Sequence, residues 1–390
     1  MSTIKVNNID PPNVGEGVSI DGLQMPTAGA LSNRNLIQNG AMTVAQRGIS
    51  YTGSDAYAGP DRYVGFINAT SYQCERSQQI DAPADSGLQY SYQLKTTTAR
   101  TGTAADEYLG FGQFIEFQNI HNAVWGGNTH VTASFWVKSS IAGTFTLNLN
   151  PCNTNSGLNN DRVMYHATYT INTVNTWEYK VITVPLSGLS SYSILSTAGT
   201  AQIGRGLEVT WMLGVSSGGS RSTATLGWNT TEARNATSSF SSDTGFLSTV
   251  GATFQLTGVQ VEVGSKATPF EHESYGQTVE KCKRYYRRLS SIGGGYSTIM
   301  VGHATGPQNG SAHMPFFPEM RTGPDFDCSA TSDFDVEPRD KALTSKPTIN
   351  DTSKDQIQLN FACDGNLSIG ESAWLTVDIN NGFVEFDAEL

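Results

Sequence analysis

From residue 131 to 215, apolar and polar residues alternate in short runs. VTASFWVKSS (131–140), GTFTLNLN (143–150), VMYHATYTI (163–171), WEYKVITVPL (177–186) and GLEVTWMLGV (206–215) each show a period of two. That is the pattern of a strand with one buried face. Turn formers separate the runs at intervals close to those of a sandwich. No unit recurs at a fixed period, which argues against a β-helix or propeller. Trp136, Trp177 and Trp211 fall inside these runs and are expected in the core, since a tryptophan in an alternating strand usually packs.

The chain then changes phase and element type. In ATFQLTGVQVEVGSKATPFEHESYGQTVEKCKRYYRRLS (252–290), Phe254 and Leu256 alternate in one phase, and Val259, Val261 and Val263 in the other. Two phases in one strand need an inserted residue, and Gly258 stands where a β-bulge would supply it. Gly264 and Pro269 stop the strand. Val279, Cys282, Tyr286 and Leu289 then recur at i, i+3, i+7 and i+10, the narrow seam of a coiled coil. A short junction helix is therefore expected over 274–290. Beyond it, Asn381-Gly382 between LTVDI and FVEFDAEL predicts a hairpin. Residues 1–34 hold only brief alternating pieces around Ile4, Val6, Val18 and Ile20, broken by Pro11-Pro12. Such a piece buries no core of its own and either lies on a partner or is disordered.

The predicted fold class is all-β: a jelly-roll β-sandwich over 35–273, a short junction helix, and a C-terminal β domain over 291–390. Composition agrees. Of 390 residues only 15% are charged and forty are glycine, which favours short strands joined by turns. The net charge of −11 makes the chain as a whole a poor binder of nucleic acid. No apolar stretch reaches the roughly 18 residues of a membrane span, so a soluble protein is expected. The first 34 residues lack the charged start and apolar run of an export signal, from which cytoplasmic synthesis is expected. Charge also divides the chain. Residues 291–390 hold five Lys and Arg against fifteen Asp and Glu, a net of −10, whereas 277–289 carry +4.

Candidate chemistry is sparse. Neither H-E-x-x-H nor a phosphate loop is present. Gly214-Val215-Ser216-Ser217-Gly218 matches G-x-S-x-G, but no helical pattern follows it to build a nucleophile elbow. Asp161, Glu178, Glu208 and Glu262 lie in or beside strands, where a glycosidase would need two facing carboxylates. Glu271-His272-Glu273 is the densest acid–histidine cluster, yet adjacent strand residues point to opposite faces. The five cysteines are scattered without C-x-x-C and are expected as free thiols. No catalytic residue, cofactor or metal site is assigned. Trp125 and Trp228 lie among loop formers. Each either offers a sugar ring a stacking platform or plugs the end of the sandwich. Lys283, Arg284, Arg287 and Arg288 are expected to meet carboxylates of residues 319–340, with Asp325, Asp327, Asp333, Asp335 and Glu337 as candidates.

The segment TGVQVEVGSKATPFEHESYGQTVEKCKRYYRR resembles the hinge of tail-fibre and related virion-surface proteins of tailed bacteriophages, particularly phages of aquatic bacteria. There a valine-rich strand runs into a Thr-Pro-Phe-Glu element and a Cys-x-Arg-Tyr-Tyr helix. NLIQNGAMTVAQRG (35–48) and FVEFDAEL (383–390) resemble the two ends of the same family, and Lys283 replaces its usual glutamine. The sandwich also resembles, loosely, carbohydrate-binding modules that open on Asn-Leu…Asn-Gly. The resemblance implies a short trimeric tail fibre of the virion, assembled in the host cytoplasm and not an enzyme. It would dock on other virion proteins through residues 1–34 and contact a host-surface glycan or receptor, with neither nucleic acid nor membrane insertion. The homotrimer would close on the Val279, Cys282, Tyr286 and Leu289 edge. A capsid-attached decoration fibre, a polysaccharide depolymerase and a cell-surface carbohydrate-binding module are the alternatives.

Overall fold

The computed structural model describes residues 19–20, 23–24, 32–53, 57–102, 107–120, 130–151, 163–187, 204–216, 225–229, 245–291, 297–377 and 382–390. It divides into two compact units, Met1–Thr278 with Leu390, and Val279–Glu389. Two short strands, β1 (Ser19–Ile20) and β2 (Leu23–Gln24), pair with each other near the N-terminus.

Twelve strands build the first unit's sandwich: β3 (Ser50–Gly53), β4 (Val64–Asn68), β5 (Gln73–Gln79), β6 (Ser91–Thr98), β7 (Tyr108–Glu116), β8 (His130–Ser139), β9 (Gly143–Pro151), β10 (Met164–Ile171), β11 (Glu178–Pro185), β12 (Arg205–Val215), β13 (Gly227–Asn229) and β14 (Thr253–Val263). They form two six-stranded antiparallel sheets, ordered β13-β10-β9-β12-β7-β4 and β11-β8-β14-β6-β5-β3. This is a jelly-roll sandwich. The five runs that alternate in the sequence are β8 to β12, displaced by no more than a residue or two.

Alternation sends Leu147, Val209, Trp211 and Phe111 inward from the first sheet, and Phe135, Phe254, Leu256, Val259 and Val261 inward from the second. Trp211 is fully buried. Phe111 stacks on it at 5.9 Å, and Phe135 meets it edge-on at 5.6 Å. Burying each such side chain contributes about 1.5–3 kcal/mol.

The bulge stands where the two-phase pattern requires it. β14 slips its register against β8 between Thr257 and Gln260, and Gly258 takes a left-handed φ of 58°. That single extra residue keeps Phe254, Leu256, Val259 and Val261 all in the core.

The helix over Tyr275–Lys283 starts on a capping box. Gln277 N–H donates to Ser274 Oγ at 3.3 Å, while Ser274 N–H donates to Gln277 Oε1 at 3.0 Å. It stops at Lys283, short of the expected residue 290, because the next residues find strand partners. β15 (Tyr286–Ser290) pairs with the C-terminal strand. Nine isolated residues are too few to hold a helix in water, so the tertiary pairing decides.

The second unit contains β15, β16 (Ser297–Gly306), β17 (Asn309–Pro315), β18 (Asp325–Cys328), β19 (Phe334–Glu337), β20 (Lys341–Ala342), β21 (Thr348–Thr352), β22 (Gln356–Ala362), β23 (Ser372–Val377) and β24 (Phe383–Asp387). A seven-stranded sheet runs β20-β19-β23-β16-β17-β22-β21, and a three-stranded one runs β15-β24-β18. Asn381 of the expected hairpin lies outside the described residues, and the described strands on either side of it are not partners. β23 and β24 belong to different sheets, because Val384 and Phe386 are buried when β24 pairs between β15 and β18.

Candidate functional site

The residues that carry the family resemblance act as a staple. Glu271 of the Thr-Pro-Phe-Glu element accepts three backbone N–H groups, from Asn33 at 2.6 Å, Arg34 at 2.7 Å and Asn35 at 3.0 Å. Asn35 in turn accepts Val261 N–H at 3.0 Å and donates to Val259 O at 2.9 Å, beside the bulge. Gln260 accepts Glu271 N–H at 2.8 Å, and buried Glu262 accepts Thr268 N–H at 2.8 Å and its hydroxyl at 2.7 Å. Gly40 passes so close that a Cβ there would lie 2.2 Å from Val259 O. The opening and closing motifs of the sandwich are thus two halves of one hydrogen-bonded clasp.

The other candidates read from the sequence divide in several ways. Trp125 and Asp161 lie outside the described residues. Trp228 sits on edge strand β13, half-buried against Tyr165 at 5.2 Å, with its indole N–H on Pro185 O at 2.6 Å. It packs at the edge of the sandwich, where β13 and β11 are the outermost strands of the two sheets. Ser216 is buried at the end of β12, where its hydroxyl accepts Glu107 N–H at 3.1 Å. Glu208 is buried on the outer face of the first sheet, Glu262 on that of the second, and Glu178 binds the turn at Asn172 and Thr173. These three carboxylates do not face one another.

The proposed seam is not one helical stripe. Val279 and Cys282 lie on the helix, whereas Tyr286 and Leu289 lie on β15. Cys282 and Tyr286 are buried in the single chain. One of the contacts expected into residues 319–340 forms, to Glu319 rather than to one of the five named candidates. Lys283 binds Glu280 at 2.8 Å, and Arg284 stands 3.7 Å from Glu319, whose carboxylate also takes Lys354 at 2.6 Å. Arg288 stands 3.8 Å from Glu385, and Arg287 donates to the Lys283 and Pro318 carbonyls. Asp327 is held instead by Lys346 at 2.9 Å.

Two of the three strand tryptophans expected in the core are outside it. Trp136 neighbours inward Phe135, so it points away from the core on the outer face of the second sheet. Tyr179 stands directly opposite it on β11, with ring centroids 5.2 Å apart and planes 48° apart. Tyr179 is 43% exposed, and Val181, the next outward residue, 48%. Trp177 precedes them, half-buried, with Lys138 Nζ 5.1 Å from its ring centre. Asp81 ties this corner together. It binds Lys138, accepts Trp177 Nε1–H at 3.3 Å and accepts Gln255 Nε2–H at 2.9 Å. Those hydrogen bonds hold its carboxyl below the ordinary range against the opposing effect of burial. Gly258 makes room for the indole: a Cβ there would lie 3.1 Å from Trp136 Cδ1 and 2.8 Å from Leu88 Cδ1.

The result is a strip of three aromatic rings on two neighbouring strands, with Lys138 beside it already paired to an acid. Alternation read from Phe135 held the signal for Trp136. Which face is the core is a property of the whole sandwich.

The first sheet's outer face behaves differently. Asn148, His166, Glu208 and Thr210 are buried there. His166 Nδ1 lies 2.7 Å from Asn148 Oδ1, and burial pushes the imidazole down to about 4. This row presents no open surface. Among the described residues, no three His, Cys, Asp or Glu side chains group as metal ligands, and no helix is long and apolar enough to cross a membrane.

No family model and no curated protein matches the sequence. Among solved structures, the enzymatically active domain of a tailspike protein of bacteriophage CBA120 aligns with 59% of this chain at 13% identity and a TM-score of 0.31, over 21% of its own length. A protein described as sugar-binding from Bacteroides thetaiotaomicron aligns at 10% identity and 0.33, over 59% of this chain and 100% of its own. The family 11 carbohydrate-binding module of a cellulosomal cellulase of Clostridium thermocellum aligns at 12% and 0.27, over 55% and 95%. At these scores the similarities assign no function.

Proposed function

We propose that this chain is a non-catalytic sugar-binding component of a phage virion surface, a tail fibre, and that its sandwich contacts glycan through Trp136, Trp177 and Tyr179. The observation that carries the reading is the strip of rings on the second sheet's outer face, with Tyr179 exposed and Trp136 and Trp177 half-buried beside it. Antiparallel strands ordinarily give that face to polar residues, and an exposed apolar patch with a polar rim marks an interaction site. A pyranose has an apolar face to lay on a ring, and hydroxyls for the groups around it. With Lys138 already paired to Asp81, the strip favours neutral sugars.

The virion placement rests on the motif resemblance, which the clasp around Glu271 accounts for as scaffold rather than site. A homotrimer, also implied by the resemblance, would need a surface other than the expected seam, half of which is buried within the chain.

The test incubates the full chain with host envelope polysaccharide. Retention without new reducing ends is expected, together with weakened retention in Trp136→Ala/Tyr179→Ala. New reducing ends would instead indicate a depolymerase. Full retention by the double variant would remove the strip from the account.

A further inference from the structure

The seven-stranded sheet of the second unit is covered on one side. Its inward residues Met300, Ala312, Val336, Leu359 and Leu375 are buried. Alternation puts Trp374, Val301, His313 and Gln358 on the opposite face. The ladders set them in one row, Trp374 opposite Val301, Val301 opposite His313, and His313 opposite Gln358. Glu337 and Asp351 stand at the two ends of that row, and the four residues between them carry no Lys, Arg, Asp or Glu. Val301 is 63% exposed. Trp374 is half-buried and His313 exposed. Beside this row, exposed His303 stands opposite Ser311, and Ser311 opposite exposed Asn360. The polar groups are braced. Gln358 Nε2 donates to Ser311 Oγ at 2.7 Å, and Asn360 Nδ2 to Asn350 Oδ1 at 3.0 Å.

We infer that this open face is a second contact surface for a neutral sugar chain, built on Trp374 and Val301 and flanked by His303, His313, Gln358 and Asn360. A second copy of the chain is the poorer occupant. A stable interface of about 1,000 Å² or more is built round a central apolar cluster, and this face offers one indole and one valine among amides and imidazoles. One ring face with hydrogen-bonding groups around it is what a sugar needs. The net charge of −10 over residues 291–390 and the two terminal carboxylates repel an anionic polymer. The inference shares a ligand class with the sandwich reading but none of its residues.

The full chain is tested on an array of neutral oligosaccharides, intact and periodate-treated, alongside native mass measurement. In the Trp136→Ala/Tyr179→Ala background, residual binding to intact sugars is expected. Adding Trp374→Ala, or Val301→Asp as an exposed-site variant that leaves the core intact, should weaken it about tenfold or more. No residual binding in that background overturns this inference and leaves the sandwich reading standing. Binding lost with Trp374→Ala alone but kept in Trp136→Ala/Tyr179→Ala supports the inference and overturns the sandwich reading. A change in oligomeric state on Trp374→Ala or Val301→Asp assigns the face to a copy of the chain and overturns the inference.

Discussion

Replacing Gly258 by alanine tests the bulge and the packing of the Trp136 indole together. Gly258 has φ 58°, a region where an L-residue costs about 1–2 kcal/mol. Its new Cβ would stand 2.8 Å from Leu88 Cδ1 and 3.1 Å from Trp136 Cδ1, so both side chains must move. Overpacking of this kind costs about 1–3 kcal/mol, less where a methyl end can swing aside. The two effects together come to about 2–5 kcal/mol. For a domain of this size that lowers Tm by roughly 4–20 °C. Scanning calorimetry reads the loss, and tryptophan fluorescence reads the displaced indole.

Gly258→Asn separates the causes, because asparagine accepts the left-handed region at lower cost and still carries the Cβ. If the clash dominates, the two variants melt together. If conformation dominates, the asparagine variant recovers most of the loss. A Tm for Gly258→Ala within about 1 °C of the parent would refute this account of the bulge, as neither the dihedral nor the contact could then be real.

Other substitutions probe the rest of the architecture. Glu271→Ala removes the acceptor of three backbone amides and should cost about 2 kcal/mol, with faster hydrogen exchange at Asn33–Asn35. Unchanged exchange there would dissolve the clasp. Trp211→Ala should cost about 3–5 kcal/mol in chemical denaturation, because the indole is fully buried between Phe111 and Phe135; a loss under about 1 kcal/mol would contradict that packing. Burial lowers His166 from 6.5 to about 4. The unfolded chain therefore takes up the extra proton first, and stability is full above about pH 6.5 and falls towards pH 4 by about 3 kcal/mol. His166→Gln should flatten that stretch of the stability–pH curve, and an identical slope would count against the buried neutral imidazole. Trp228→Ala should lower Tm through lost packing on Tyr165 and the bond to Pro185 without changing sugar binding in the folded fraction. Lost binding at full stability would make Trp228 a ligand residue.

The sequence alone determined the strand-rich class, the five alternating runs and the bulge. Each of these follows from a local rule: period two, turn residues between runs, or a phase change that one inserted residue must absorb. It also exposed the charge division between the basic 277–289 segment and the acidic residues after it. The capping box at Ser274 and Gln277 was legible in principle, since both of its partners lie within four residues.

Tertiary structure decided what depends on distant partners. Helical spacing continued to Leu289, but β24 supplied a ladder for Tyr286–Ser290, and nine residues had too little helical stability to compete. Asn381-Gly382 looked like a hairpin until the strands on either side found better burial in different sheets. Glu271 carried no local sign of its role, because the amides it binds are more than 230 residues earlier in the chain. Trp136 and Trp211 sit in similar alternating runs, yet one points out of the core and the other into it. Alternation says that neighbours face opposite ways. Only the first sheet, packing over Phe135 and leaving Trp136 outside, says which way is in.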